Sequence, residues 1–74
     1  MRTIREIADR AYWNMGKYNQ ITIDLIEEAE MIDEDSTDYE KGSLRYRVGN
    51  TLAICNPELA NDFEALTDLS ETLK

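Results

Sequence analysis

Asp24 to Glu40 reads DLIEEAEMIDEDSTDYE, and the way this stretch divides decides the fold. It holds nine carboxylates, Asp24, Glu27, Glu28, Glu30, Asp33, Glu34, Asp35, Asp38 and Glu40, with no Lys or Arg between them. Leu25, Ala29 and Ile32 recur through its first part at helical spacing, which puts Asp24 to Glu34 on the outer face of a helix whose inner face is apolar. Asp33 to Thr37 then reads as a helix end followed by a new start, because Ser36 or Thr37 can cap a helix. Thr37-Asp38-Tyr39-Glu40 is a capping-box pattern, in which hydroxyl and carboxylate each take an orphan backbone amide. Asp38 and Glu40 therefore have a structural explanation that Glu27, Glu28, Glu30 and Glu34 lack.

Toward the N-terminus, Thr3-Ile4-Arg5-Glu6 is another capping-box pattern and predicts a helix start. From there Ile4, Ala8, Ala11, Met15, Tyr18, Thr22, Leu25, Ala29 and Ile32 form a stripe at alternating four-three spacing. One helix of about 30 residues fits this stripe, as do two helices broken near Gly16 to Asn19, where glycine costs about 1 kcal/mol and can cap a C-terminus. The break is favoured, because Ile21 and Ile23 lie off the stripe and a separate second helix could rotate to bury one of them.

Toward the C-terminus, Leu44, Val48, Leu52 and Cys55 predict a third helix, weakened by Gly42, Gly49 and Asn50 unless those small residues permit close packing. Asn56-Pro57-Glu58 is a stop-and-start signal, since asparagine caps and proline suits the first helical position. The last helix has a stripe of Leu59, Phe63, Leu66, Ser70 and Leu73, flanked by Ala60 and Leu69. No segment alternates like a strand. The expectation is a single all-α domain over residues 1–74, a bundle of three to four helices at about 3–16, 19–34, 37–55 and 57–73, the first two fused if the break fails.

A chain of 74 residues buries a modest fraction of its surface, so a partner or a second copy would add stability. With 42% hydrophobic and 32% charged residues it is nevertheless expected to fold. A net charge of −8 and a pI near 4.3 oppose contact with nucleic acid or an anionic membrane and make basic partners the natural complement. The charge falls in blocks: +2 over residues 1–20, −9 over 21–40, +3 over 41–56 and −4 over 57–74. These blocks either cancel within the fold or face different ways. The lone Cys55 cannot form an internal disulfide, no secretion signal is visible, and no run approaches the roughly 20 apolar residues of a membrane span, so a cytoplasmic protein is expected.

Catalytic signatures are sparse. The chain has no histidine, which removes the commonest general base and transition-metal ligand. Glu27-x-x-Glu30 lacks the Glu-x-x-His companions of a di-iron bundle. Asp33, Asp35 and Thr37 imitate the first ligands of a calcium loop, but Asp38 stands where glycine is needed and Leu44 where glutamate is needed. Cys55, on an apolar stripe, reads as an inert thiol. No enzyme, cofactor or metal is expected. Tyr12, Trp13 and Tyr18 read as core and flank packing rather than a base-stacking surface, and Arg45-Tyr46-Arg47 as counter-charge to the acids.

The acidic stretch has a bland reading, a solvated face that confers solubility. Three features favour function. The charges share one sign, they continue across a helix break, and Asp24 with Glu28, Glu27 with Glu30 and Glu30 with Glu34 are like-charge pairs that destabilise a helix locally. The candidate partner-binding residues are thus Asp24, Glu27, Glu28, Glu30, Asp33 and Glu34.

Ile21 to Glu30, ITIDLIEEAE, looks like an acidic helix of phage anti-restriction DNA mimics of the Ocr type. More broadly, a small, acidic, cysteine-poor helical chain is similar to phage-encoded inhibitors of host defence, including anti-CRISPR proteins. The resemblance implies a stoichiometric, non-catalytic inhibitor whose carboxylates replace phosphates in the Lys/Arg-lined groove of a host nucleic-acid-binding protein, with no direct contact to nucleic acid. The rival expectation is a helical interaction module, an antitoxin, adaptor or homodimer, docking through Leu25, Ala29 and Ile32.

Overall fold

Thr3 starts the first helix as predicted, through the hydroxyl half of its capping box: extended backbone places its hydroxyl to accept the Glu6 amide at 3.2 Å, while the Glu6 carboxylate accepts from that hydroxyl rather than from the Thr3 N–H. The computed structural model describes residues 2–33, 35–55 and 60–73, with Met15 described in its backbone alone. Over these residues the chain forms α1 (Ile4–Trp13), a 3₁₀ turn (Met15–Lys17), α2 (Gln20–Glu30), α3 (Asp38–Ile54) and α4 (Ala60–Thr72). The fold is all-α, with no strand among the described residues. The radius of gyration, 11.4 Å, matches the roughly 11 Å of a compact chain this long.

The break between the first two helices is real, and asparagine rather than glycine makes it. Asn14 ends α1, its backbone N–H donating to the Ala11 carbonyl and its side-chain Nδ2 to the Arg10 carbonyl at 3.0 Å. Gly16 lies inside the 3₁₀ turn without a positive φ, so it does not act as a left-handed cap. The turn frees α2 to rotate. Ile23 becomes buried while Ile21 stays 62% exposed.

Ile7, Ala8 and Ala11 of α1, Thr22, Ile23, Leu25, Ile26 and Ala29 of α2, Leu44 and Val48 of α3, and Ala65, Leu66 and Leu69 of α4 are buried together. Ile4, Tyr18, Ile32, Leu52, Cys55 and Leu73 pack around their edge. Two departures from the expected stripes stand out. Ile7 and Ile26, off the N-terminal stripe, are core residues because each helix faces two neighbours and buries a wider arc than one seam. On α4 the buried face is Asp62, Ala65, Leu66 and Leu69, so Leu69 is central rather than flanking and Phe63, 42% exposed, is peripheral. The Asn56-Pro57 signal, Glu58 and Leu59 lie outside the described residues, as does the Met15 side chain.

Thr37 opens α3 with the expected capping box: its hydroxyl accepts the Glu40 amide at 3.1 Å, and the Glu40 carboxylate accepts in return from the Thr37 N–H. Gly42 and Gly49 do not serve close packing, since a Cβ at either would meet no atom within 4 Å. Their effect on α3 is the loss of helix propensity alone.

The charge blocks cancel unevenly. Arg2 bonds both Glu64 and Asp68, the latter at 2.8 Å, and Arg10 bonds Glu64 at 2.8 Å, so the basic first segment is neutralised on α4 rather than on the central acids. The Thr72 hydroxyl adds a hydrogen bond to the Arg2 carbonyl at 3.0 Å. Arg2 meeting the end of α4 and Arg10 its first half makes the two helices run in opposite directions. The acids of α2 are left to a different surface.

Candidate functional site

Burial of Thr22, Leu25, Ile26 and Ala29 on one side of α2 forces Asp24, Glu27, Glu28 and Glu30 onto the other, where all four are exposed. At about 100° per residue they form a fan of roughly 160° across the outer face. The structure sorts them by what they touch. Asp24 accepts a hydrogen bond from Gln20 Nε2 at 2.8 Å, one turn back on the same helix. Glu27 has no hydrogen-bond or ion-pair partner among the described residues. Glu28, at the α3 side of the fan, is paired with Arg47 at 2.7 Å, each side chain about half exposed. Glu30, at the α1 side, accepts from the Tyr12 hydroxyl at 2.5 Å.

Asp33 belongs to the turn rather than to the face. Its Oδ1 accepts from the Asp35 N–H at 2.9 Å and from the Ser36 hydroxyl at 3.3 Å, while its own N–H donates to Ser36 Oγ at 3.0 Å. The side chain therefore closes the α2–α3 connection while the residue stays exposed. Glu34 lies outside the described residues. Of the six candidates, the structure thus brings Asp24, Glu27, Glu28 and Glu30 onto one face and sets Asp33 beside it in the connection.

The Tyr12–Glu30 pair was not expected, since Tyr12 reads from the sequence as joining the core. It is 41% exposed instead. The hydrogen bond to Glu30 pushes its phenol up to about 12, helped by partial burial and by the negative charges of Glu30, Glu27 and Asp9. Tyr12 follows Ala11 by one position, and so about 100° around the helix, which was a signal that it would sit at the margin of the stripe. Arg47 does provide the counter-charge expected of Arg45-Tyr46-Arg47; Tyr46 beside it is exposed.

Asp62 was missed entirely. It is 2% exposed on α4, and its Oδ1 accepts the Asn19 backbone N–H at 2.8 Å at the start of α2. Asn19 occupies the N-cap position of α2 but makes no side-chain cap bond; its own backbone N–H is satisfied by Asp62 from another helix. An acid three and four positions before Ala65 and Leu66 lies on the buried face, which was the available sign.

Among the described residues no group of Cys, Asp and Glu side chains is placed to hold a metal ion, and no helix is long and apolar enough to cross a membrane. Leu25 and Ala29, two of the three residues expected to dock a partner in the rival reading, lie within the core. No family model, curated protein or solved structure matches the chain.

Proposed function

We propose that this protein is a non-catalytic inhibitor that presents the outer face of α2 in place of nucleic-acid phosphates and blocks a basic groove of a nucleic-acid-binding protein, in the manner of anti-restriction or anti-CRISPR proteins. The observation that carries the reading is the fan of Asp24, Glu27, Glu28 and Glu30, all exposed, with Arg47 the one cation paired to it among the described residues. The eleven residues of α2 rise about 16 Å, giving roughly one carboxylate per 4 Å. That is close to the 3.4 Å per charge of a single strand and sparser than the 1.7 Å of a duplex. The fan is therefore matched to arginines that track one strand, each gaining a charge-assisted hydrogen bond to a carboxylate. Asp24 and Glu27, which make no hydrogen bond or ion pair outside α2 among the described residues, meet them without breaking a link to another helix.

Retention of a nucleic-acid-binding protein at low salt, followed by a salt gradient with DNA as competitor, tests the reading. Release by DNA and a steep loss of affinity with salt are expected. Asp24→Lys together with Glu27→Lys should abolish the retention while leaving the helical fold unchanged. Full affinity in the folded double variant sinks the proposal.

A further inference from the structure

Met31 and Tyr39 are 79% and 84% exposed, yet both border one groove, of about 310 Å³, between the end of α2 and the start of α3. Single exposed apolar side chains are ordinary on a protein surface. Two of them flanking a common apolar floor are a different matter. That floor is the half-buried Ile32 and the buried Leu44, and Glu28 and Glu40 stand on the rim. Asp35 and Asp38, both exposed, lie next to it in the chain. The groove thus combines an apolar base with an acidic border, where Glu28 is held by Arg47, the Glu40 carboxylate is held by Thr37, and Met31 and Tyr39 are left uncovered.

We propose that this groove receives an arginine-bearing helical segment of a partner protein that carries one apolar side as its anchor. Charge selects the occupant. A second copy of the chain would bring another −8 and another acidic rim against the first, which repels, whereas a basic segment neutralises the rim as its apolar side covers Met31 and Tyr39. Arg47 also lines the groove and holds Glu28 at 2.7 Å. It occupies in the free protein the place that a partner arginine takes on binding, so docking exchanges one guanidinium for another at Glu28. The inference rests on the reading of the acidic face as a ligand for a basic protein, and adds to it an apolar anchor point and a competing internal arginine.

The test uses the intact protein and two synthetic helical peptides of equal charge: one with an arginine face and a leucine stripe, the other with alanine in place of each leucine. Calorimetry should show the leucine peptide binding about tenfold tighter, with amide NMR shifts centred on Met31, Ile32, Tyr39 and Ser43. Met31→Ser with Tyr39→Ser removes exposed side chains only, so it should keep the helical circular dichroism and erase the tenfold preference. Arg47→Gln should tighten binding several-fold by releasing Glu28. Equal affinity for the two peptides, wild-type binding by the Met31/Tyr39 variant, or a self-associated chain with this groove closed in the dimer would overturn the inference. Asp24→Lys with Glu27→Lys separates it from the broader reading. If that variant alone loses the DNA-competed partner, the phosphate-mimic face stands and the groove falls; if neither variant pair changes any binding, both fall.

Discussion

The Asn19 backbone N–H donates to the carboxylate of Asp62 at 2.8 Å, joining the start of α2 to the buried face of α4 across 43 positions of sequence. An anion here satisfies an orphan amide and lies at the positive end of the α2 dipole. It is also shut off from water, at 2% exposure. A hydrogen bond to a charged group contributes about 1.5–3 kcal/mol. Asp62→Ala should therefore destabilise the protein by about 2 kcal/mol, a drop of roughly 10 °C in melting temperature for a domain of this size. Asp62→Asn keeps an acceptor and should lose about half as much. Thermal melts followed by circular dichroism check both, and an unchanged Asp62→Ala would show that the amide finds another acceptor.

Gly49 is an exposed glycine in the middle of α3, with open space where a Cβ would be and no positive φ to preserve. Gly49→Ala should stabilise by about 0.5–1 kcal/mol, because alanine loses less backbone entropy on entering a helix. Urea denaturation should move its midpoint upward with an unchanged slope. A midpoint that stays put or falls would mean that something unseen in the monomer uses this site.

Tyr12 donates to Glu30, and its phenol is raised from the ordinary 10.0 to about 12. A raised folded value favours the protonated form. The pair's contribution to stability is therefore complete below about pH 10 and is lost as pH climbs toward 12. Glu30→Gln should return the Tyr12 titration toward 10 and remove this part of the alkaline dependence. Ring-carbon NMR of Tyr12, compared with the half-buried Tyr18, whose phenol is raised chiefly by burial, reads the two apart.

Glu64 has the opposite sign. Its hydrogen bond to Arg2, with Arg10 alongside, lowers its carboxyl below the ordinary 4.5. The ion pairs stabilise fully above that value and are lost as pH falls through the lower, folded one. Glu64→Gln should melt earlier than wild type at neutral pH, and the two should converge in acid. Comparing the two proteins cancels the relief of repulsion among the α2 carboxylates, which acid brings to both. A difference that persists undiminished in acid would assign the effect to packing rather than to charge.

Helix starts were the most legible part of the fold. Thr37 with Glu40 closes a full capping box and Thr3 caps Glu6 through its hydroxyl; both act within one turn, so a local sequence pattern is enough to place them. Faces were legible where one seam dominates, as at Ala8, Ala11, Leu25 and Ala29, and less so where a helix meets two neighbours, as at Ile7, Ile26 and Leu69. The exposure of Asp24, Glu27, Glu28 and Glu30 followed directly from the apolar side of α2. The counter-charge from Arg47 was legible as well, but its pairing with Glu28 in particular, and that of Tyr12 with Glu30, were not, because Arg47 and Tyr12 reach them from other helices.

The sequence by itself determined that the chain is all-α, where α1 and α3 begin, and that the α2 carboxylates face outward. All of these follow from local capping and from the 3.6-residue period. Tertiary structure alone decided that Arg2 and Arg10 are neutralised on α4 and that Asp62 completes the start of α2. It also tied Glu28 to Arg47 and Glu30 to Tyr12, while Asp24 and Glu27 make no hydrogen bond or ion pair to another helix among the described residues. The physical reason is that ion pairs and hydrogen bonds between helices depend on rotations and crossing positions, and these are set only once Ile23, Ile26, Val48 and Leu66 have packed together.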